Sequence, residues 1–163
     1  MTSSLTPFFH PSGVAVIGAS ANPRKLSYGI LRNLVQSGYQ GGIYPVNPTA
    51  AEILGKPAWA DISGVPDPVE LAEIVLPVPA IPAALEACGK RGVKAVVVIS
   101  GGFKEVGADG EQMEQRCLEI IRHYGMRMIG PNCVGLMNLH AGLNTTFIYG
   151  QPDIGGISFL AQS

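Results

Sequence analysis

Small residues directly follow the first apolar segment of the chain, and two cations come shortly after them. Gly18 and Ser20 stand in the segment VAVIGASANPRK, which ends in Arg24 and Lys25 ahead of a helical pattern. Glycine and other small residues after a strand let backbone N–H groups approach a phosphate, and the start of the next helix adds partial positive charge. The segment therefore predicts a site for a phosphorylated, nucleotide-like ligand.

The same segment departs from the pattern that binds NAD. After Gly18 the next glycine is Gly29, so the G-x-G-x-x-G spacing is absent. The second apolar segment ends in YPVNP and offers no carboxylate to the ribose hydroxyls. An NAD(P)-binding domain is therefore the weaker alternative. Arg24 and Lys25 favour a ligand that carries more phosphate than a dinucleotide.

Short apolar segments alternate with helical patterns along the chain. Segments such as Ala95–Ile99 are apolar on both faces, as are strands of a parallel sheet that helices cover on both sides. The alternation predicts a doubly wound, Rossmann-like α/β fold with a mostly parallel sheet and helices on both faces. The predicted strands are 13–18, 41–47, 71–78, 94–100, 126–132 and 155–163, and the predicted helices are 28–38, 80–92 and 109–125.

Glycine and proline are concentrated where these strands end. Ligands of doubly wound sheets bind outside the carboxyl ends of the strands. We therefore expect four further loops to share one edge of the sheet with the Gly18 loop, although each could also be an ordinary tight turn. They are PVNP, LPVPAIP, SGGFKEVG and GPNCVG.

Composition argues against several classes of function. The formal net charge is -1 and no basic tract is present, which argues against nucleic acid or an anionic membrane surface as a partner. No apolar segment is long enough to span a bilayer. Cys88, Cys117 and Cys133 are odd in number, which indicates reduced thiols and a cytoplasmic protein. The chain also has no Walker A loop, nucleophile elbow or metal-type Cys/His spacing, so we expect neither catalytic nor metal-ligating residues.

Four segments, in order over nearly the whole chain, carry a family resemblance. They are SGVAVIGASANPRKLSYGILRNLVQSGYQGGIYPVNP, GVKAVVVISGGFKEVG, YGMRMIGPNCVGLMN and GGISFLAQS. Together they resemble the N-terminal CoA-binding domain of NDP-forming acyl-CoA synthetases, the ADP-forming acetyl-CoA synthetase family, which is related to the succinyl-CoA synthetase α subunit. The resemblance implies a Rossmann-like domain with coenzyme A, a substrate of the reaction, at its rim.

The resemblance also implies which residues contact CoA. For Lys25 the alternative is a solvated lysine at the helix start, and for Cys133 it is a small buried residue after a strand. The implied contacts are Gly18, Ser20 and Lys25 at the phosphates, Val46, Asn47 and Pro48 at the nucleotide end, Leu76, Pro77 and Val78 at the adenine, Ser100, Gly101 and Gly102 at the pantetheine, and Asn132 and Cys133 near the thiol.

The family's reaction converts acyl-CoA, phosphate and ADP reversibly into acid, CoA and ATP through an acyl phosphate and a phosphohistidine. The histidine belongs to a later flavodoxin-like domain, and ATP or ADP with Mg belongs to an ATP-grasp domain. We therefore expect residues 1–154 to form the CoA-binding domain, 155–163 to begin the flavodoxin-like domain, and the chain to bind CoA without turnover. Two alternatives remain: a CoA or acyl-CoA sensor joined to a protein lysine acetyltransferase, or a small independent CoA-binding protein.

Overall fold

A parallel five-stranded sheet forms the centre of the computed structural model, which describes residues 4–156. The strands are β1 (Gly13–Ile17), β2 (Gly42–Val46), β3 (Glu52–Ile53), β4 (Lys56–Pro57), β5 (Leu71–Ile74), β6 (Ala95–Val98), β7 (Arg127–Ile129), β8 (Met137–Asn138) and β9 (Leu143–Asn144). The helices are α1 (Thr6–Phe9), α2 (Leu26–Gln36), α3 (Ile81–Arg91) and α4 (Ala108–His123). The sheet order is β2-β1-β5-β6-β7, and every neighbouring pair is parallel.

Helices cover both faces of this sheet, which confirms the predicted Rossmann-like fold. On one face, side chains of α3 and α4, including Leu85 and Ile120, pack against Val96 and other alternate strand residues. On the other face, α2 packs through Ile30 and Leu34 together with Phe8 of α1 and Leu143 of β9. Every residue of β1, β5 and β6 is buried, as expected of strands covered on both sides.

The predicted helices and sheet strands are confirmed, with shifts at their ends. The strand predicted at 71–78 ends at Ile74, and the segment beyond it borders the cleft described below. The connection from β2 to β5 contains no α-helix; it forms the β3–β4 hairpin and a 3-10 turn at Ile62–Gly64, which we did not predict. Proline and glycine recur along this connection and oppose a helix. The strand predicted at 155–163 lies almost entirely outside the described residues.

The interior of the sheet contains a carboxyl group that the sequence analysis did not single out. Glu73 lies in the middle of β5, is fully buried, and has no hydrogen-bond partner at either carboxyl oxygen among residues 4–156. Burial raises the pKa of Glu73 to about 8, with a smaller opposing effect from the Thr145 hydroxyl. This raised pKa favours the protonated, uncharged form of the Glu73 carboxyl group near neutral pH.

The segment that follows β9 lies along α2. The side-chain amide of Asn33 donates to the carbonyl oxygens of Thr146 and Ile148, each at 2.7 Å. Gly29, one turn earlier on α2, leaves room for the backbone of Phe147, which lies 3.0 Å from the position that a Cβ would take. The segment 146–148 is thus attached to the same helix that begins at the cleft. Among the described residues, no helix has the length and apolar character needed to cross a bilayer.

Candidate functional site

The strand order reverses between β1 and β5, and a cleft of about 460 Å³ opens there at the carboxyl ends of the strands. Doubly wound sheets bind their ligands at this position. Residues from separate loops, far apart in sequence, meet in the cleft. Its lining consists of Gly18, Ala19, Ser20, Lys25, Leu26, Ser27, Asn47, Val75, Leu76, Pro77 and Ser100.

The structure brings many of the predicted contact residues into this lining. Ala19, Leu26, Ser27 and Val75 also line the cleft, although the sequence analysis did not select them. These residues could have been predicted from their neighbours in the sequence. Leu26 and Ser27, for example, directly follow Arg24 and Lys25 at the start of α2. The predicted residues in the lining are Gly18, Ser20, Lys25, Asn47, Leu76, Pro77 and Ser100.

Other predicted residues lie around a second cavity or just outside the cleft. Val46 and Pro48 line an adjoining, more apolar cavity of about 220 Å³, which shares Gly18 and Leu76 with the cleft. Arg24 is exposed on the loop before α2. The remaining predicted residues, outside both linings, are Val78, Gly101, Gly102, Asn132 and Cys133.

Gly18 occupies a position that only glycine fits. Its φ is +86°, and a Cβ there would fall inside the contact distance of the Val75 carbonyl oxygen. The N–H groups of Gly18 and Ala19 donate to the Val46 carbonyl at 3.0 and 3.2 Å. These two amides are therefore engaged with the neighbouring strand, and the contact of Gly18 with a phosphate stays a prediction. The role of Gly18 is the close approach of the backbone.

The start of α2 supplies the unengaged donors. Lys25, the residue before the helix, is extended and provides no side-chain acceptor, and the first turn contains no acidic residue. The first amides of a helix have no partner within the helix, and the helix dipole adds partial positive charge at this end. Leu26 and Ser27 border the cleft together with Lys25. This arrangement can bind an anion.

Asn47 connects two of the loops at the cleft. Its Nδ2 donates to the Ala19 carbonyl at 2.7 Å, and its Oδ1 accepts the backbone N–H groups of Thr49 and Ala50, each at 2.9 Å. The side chain thereby holds the turn after β1 against the turn after β2. Asn47 lines the cleft, but its side-chain hydrogen bonds all serve this connection.

The loop after β6 satisfies its own amides. The Ser100 hydroxyl donates to the Leu76 carbonyl at 2.6 Å. The carboxylate of Glu105 accepts the N–H groups of Gly102 at 2.6 Å and Phe103 at 3.1 Å, and these backbone bonds lower the pKa of Glu105. Glu105 was not predicted as a site residue from the sequence. An acidic residue three positions after a glycine was the signal, since such residues bond back to preceding amides.

The loop after β7 reaches the cleft through Ser100. Asn132 has a φ of +56°, and its N–H donates to the Ser100 carbonyl at 3.0 Å. The Cys133 thiol donates to the Val98 carbonyl at 3.3 Å, and burial raises the pKa of this thiol. The three cysteines are unpaired. Among the described residues, no group of three or more His, Cys, Asp or Glu side chains is arranged to hold a metal ion.

A parallel sheet with this strand order and an uncapped helix start at its switch point defines a Rossmann-like ligand-binding domain. Residues 12–138 match the family described as CoA binding domain, and the chain belongs to that family. This membership favours CoA over the NAD(P) alternative.

Named relatives agree with the family. The α subunit of acetate–CoA ligase [ADP-forming] II from Pyrococcus furiosus is 48% identical over 157 residues, covering 96% of this chain and 34% of the relative. The 4-hydroxybutyrate–CoA ligase [ADP-forming] of Nitrosopumilus maritimus is 38% identical, covering 100% of this chain and 23% of the relative.

A solved structure resembles the chain to a similar degree. It is the acetyl-coenzyme A synthetase 1 of Candidatus Korarchaeum cryptofilum in complex with phosphate and ADP, with 45% identity and a TM-score of 0.85. The match covers 88% of this chain and 30% of that one. The chain thus spans about a third or less of the length of these relatives.

Proposed function

We propose that this chain is the CoA-binding domain of an ADP-forming acyl-CoA synthetase, which interconverts acid, CoA and ATP with acyl-CoA, ADP and phosphate. One observation carries the proposal: the segment that matches the CoA-binding family contains the whole lining of the cleft, including the uncapped start of α2. The names of the relatives support the reaction. Residues 1–154 would form the domain, and 155–163 would lead into a flavodoxin-like domain.

The described residues act by binding and orienting CoA. The start of α2 and Lys25 face the phosphates, since they combine free amides with a positive charge. The apolar cavity beside Gly18 and Leu76 suits the adenine ring. The pantetheine arm then extends over Ser100 toward Asn132. Phosphohistidine chemistry, ATP or ADP and Mg belong to partner domains in this proposal, and the unpaired cysteines support a cytoplasmic protein.

Calorimetry at moderate salt tests the proposal with CoA, dephospho-CoA and NAD. We expect CoA to bind most tightly and NAD most weakly, because the ribose 3′-phosphate adds negative charge near the cations. Lys25→Ala should weaken CoA binding about 3- to 10-fold, less at high salt. Lys94→Ala, the same change at an exposed position before β6, is the matched control and should bind like the parent. Tighter binding of NAD than of CoA would overturn the proposal.

A further inference from the structure

A second polar cavity, of about 240 Å³, lies between α2 and the segment after β9 and shares no residue with the CoA cleft. It is bordered by the middle and end of α2 on one side and by residues 149–151 on the other. None of its lining residues is acidic. The lining is Arg32, Asn33, Gln36, Ser37, Asn144, Tyr149, Gly150 and Gln151.

The guanidinium of Arg32 is held at this cavity without a counter-charge. Its Nε and Nη2 donate to the Asn33 Oδ1 at 3.1 and 2.9 Å, and its Cζ lies 4.8 Å from the centre of the Tyr149 ring. The residue is half-buried. In residues 4–156 the only ion pair joins Arg91 and Asp67, so Arg32 faces neutral groups alone. A partly buried charge without an opposite charge is unfavourable.

Asn144 brings a second unsatisfied donor to the same cavity. The residue is 2% exposed, and its Oδ1 accepts the N–H and the hydroxyl of Thr146 at 3.0 and 2.8 Å. Its Nδ2 has no hydrogen-bond partner within the described part of the chain, and the residue borders the cavity. This amide is therefore open to a ligand that enters the cavity. The cavity thus combines a fixed cation with an unpaired amide.

We propose that this cavity binds a small oxyanion, a carboxylate or inorganic phosphate, through Arg32 and Asn144. Such a ligand offers acceptors and a negative charge, and the Nη1–Nη2 edge of the guanidinium, which Asn33 leaves free, matches its planar geometry. The side-chain amides of Gln36 and Gln151 border the same space and can add donors. This site is independent of the proposed CoA function, because it uses other residues.

NMR titration of the chain tests the site with CoA present at saturation, so that anions cannot act at the start of α2. Sodium acetate, sodium phosphate and sodium chloride are added at matched ionic strength, and the Asn144 side-chain amide and the Arg32 Nε–H are followed. We expect saturable shifts with acetate, phosphate or both, and none with chloride. The two oxyanion series show which class of ligand the site prefers.

Two variants separate the site from general charge effects. Arg32→Gln should weaken oxyanion binding at least 10-fold, whereas Arg122→Gln, at an exposed position in the last turn of α4, should leave it unchanged. Arg32→Lys keeps the charge without the fork and should bind more weakly than the parent. Unchanged CoA affinity in each variant shows that the fold is retained. Shifts that are linear, equal with chloride, or unaffected by Arg32→Gln would overturn the proposal.

Discussion

Two amide-rich loops at the same edge of the sheet differ in what their N–H groups bind. The loop that leads from Gly18 into α2 leaves the first helical amides uncapped. The loop after β6 directs the N–H groups of Gly102 and Phe103 to the carboxylate of Glu105. Both loops have the glycine and the local cations that predict an anion site. An anion site is therefore open only where the backbone donors lack an acceptor from the chain itself.

Local acceptors explain the difference. In the first loop the nearby oxygens are engaged in the turn itself, since the Ser20 hydroxyl accepts the Asn22 N–H and the Asn22 Oδ1 accepts the Arg24 N–H. Neither oxygen bonds the start of α2. In the second loop Glu105 is close enough in sequence to bond back to the amides before it. The first loop therefore stays open to an external anion.

We expect the largest effect from a substitution at Gly18, where the backbone packs closely against the Val75 carbonyl. Gly18→Ala adds a Cβ that meets the Val75 carbonyl at a positive φ, so we expect a loss of about 2–5 kcal/mol in the free energy of unfolding and loss of CoA binding. Gly38→Ala is the matched control, because Gly38 has a φ of +85° and open space around it. It should cost only about 1–2 kcal/mol and bind CoA normally. Chemical denaturation and calorimetry measure both. Equal effects of the two changes would show that the close approach does not matter.

Glu73 contrasts with Glu105, because its carboxyl oxygens accept no N–H group within residues 4–156. Its folded pKa of about 8 exceeds the usual value of 4.5, so the folded chain retains a proton that the unfolded chain loses. The contribution of protonated Glu73 to the free energy of unfolding is fully present below about pH 4.5. This contribution falls as the pH rises to about 8 and is constant above that pH.

Glu73→Gln should remove this pH dependence and stabilise the chain by about 4 kcal/mol at pH 8, with little change at pH 4.5. Glu52→Gln, an exposed position in β3, is the control. Urea unfolding from pH 4.5 to 9 measures the difference. A parent whose stability rises between pH 5 and 8 relative to Glu73→Gln would contradict the assignment.

The smallest effect is expected at Glu105. Its pKa is lowered by the amides it accepts, so its contribution to stability is present above the usual carboxyl pKa and is lost as the pH falls through the lowered value. Glu105→Ala removes both acceptor oxygens and should free the Gly102 and Phe103 amides, whose NMR signals would then respond to added phosphate. Glu119→Ala, on the exposed surface of α4, should leave those signals unresponsive. A response of equal size in the parent would show that both loops are open.

Burial patterns explain how much of this molecule was predictable. Val-rich segments such as Ala95–Val98 must be covered on both sides, so the sheet and its helices followed from apolar spacing alone. The location of the cleft followed from the same fold rule. The hairpin between β2 and β5 did not, because its two strands are only two residues each and are too short to show a periodicity.

The spacing of residues in the sequence could not predict which N–H groups lack a hydrogen-bond partner. Whether the Gly18 amide is available depends on the Val46 carbonyl, which reaches it only through the pairing of β1 with β2. The cavity at Arg32 and Asn144 joins residues more than a hundred positions apart. Such relations arise from the packing of distant segments, and a single sequence contains no local signal for them.

Helix α2 contacts two separate parts of the molecule, the cleft and residues 146–148. The N-terminal end of α2 borders the cleft, and Asn33, further along the helix, donates hydrogen bonds to the Thr146 and Ile148 carbonyls. Linkage is reciprocal: a partner that draws the segment off the helix changes CoA affinity by the same factor by which CoA changes the partner's affinity. Any coupling between CoA and a partner at residues 146–148 would run through α2 and would need no large movement of the sheet.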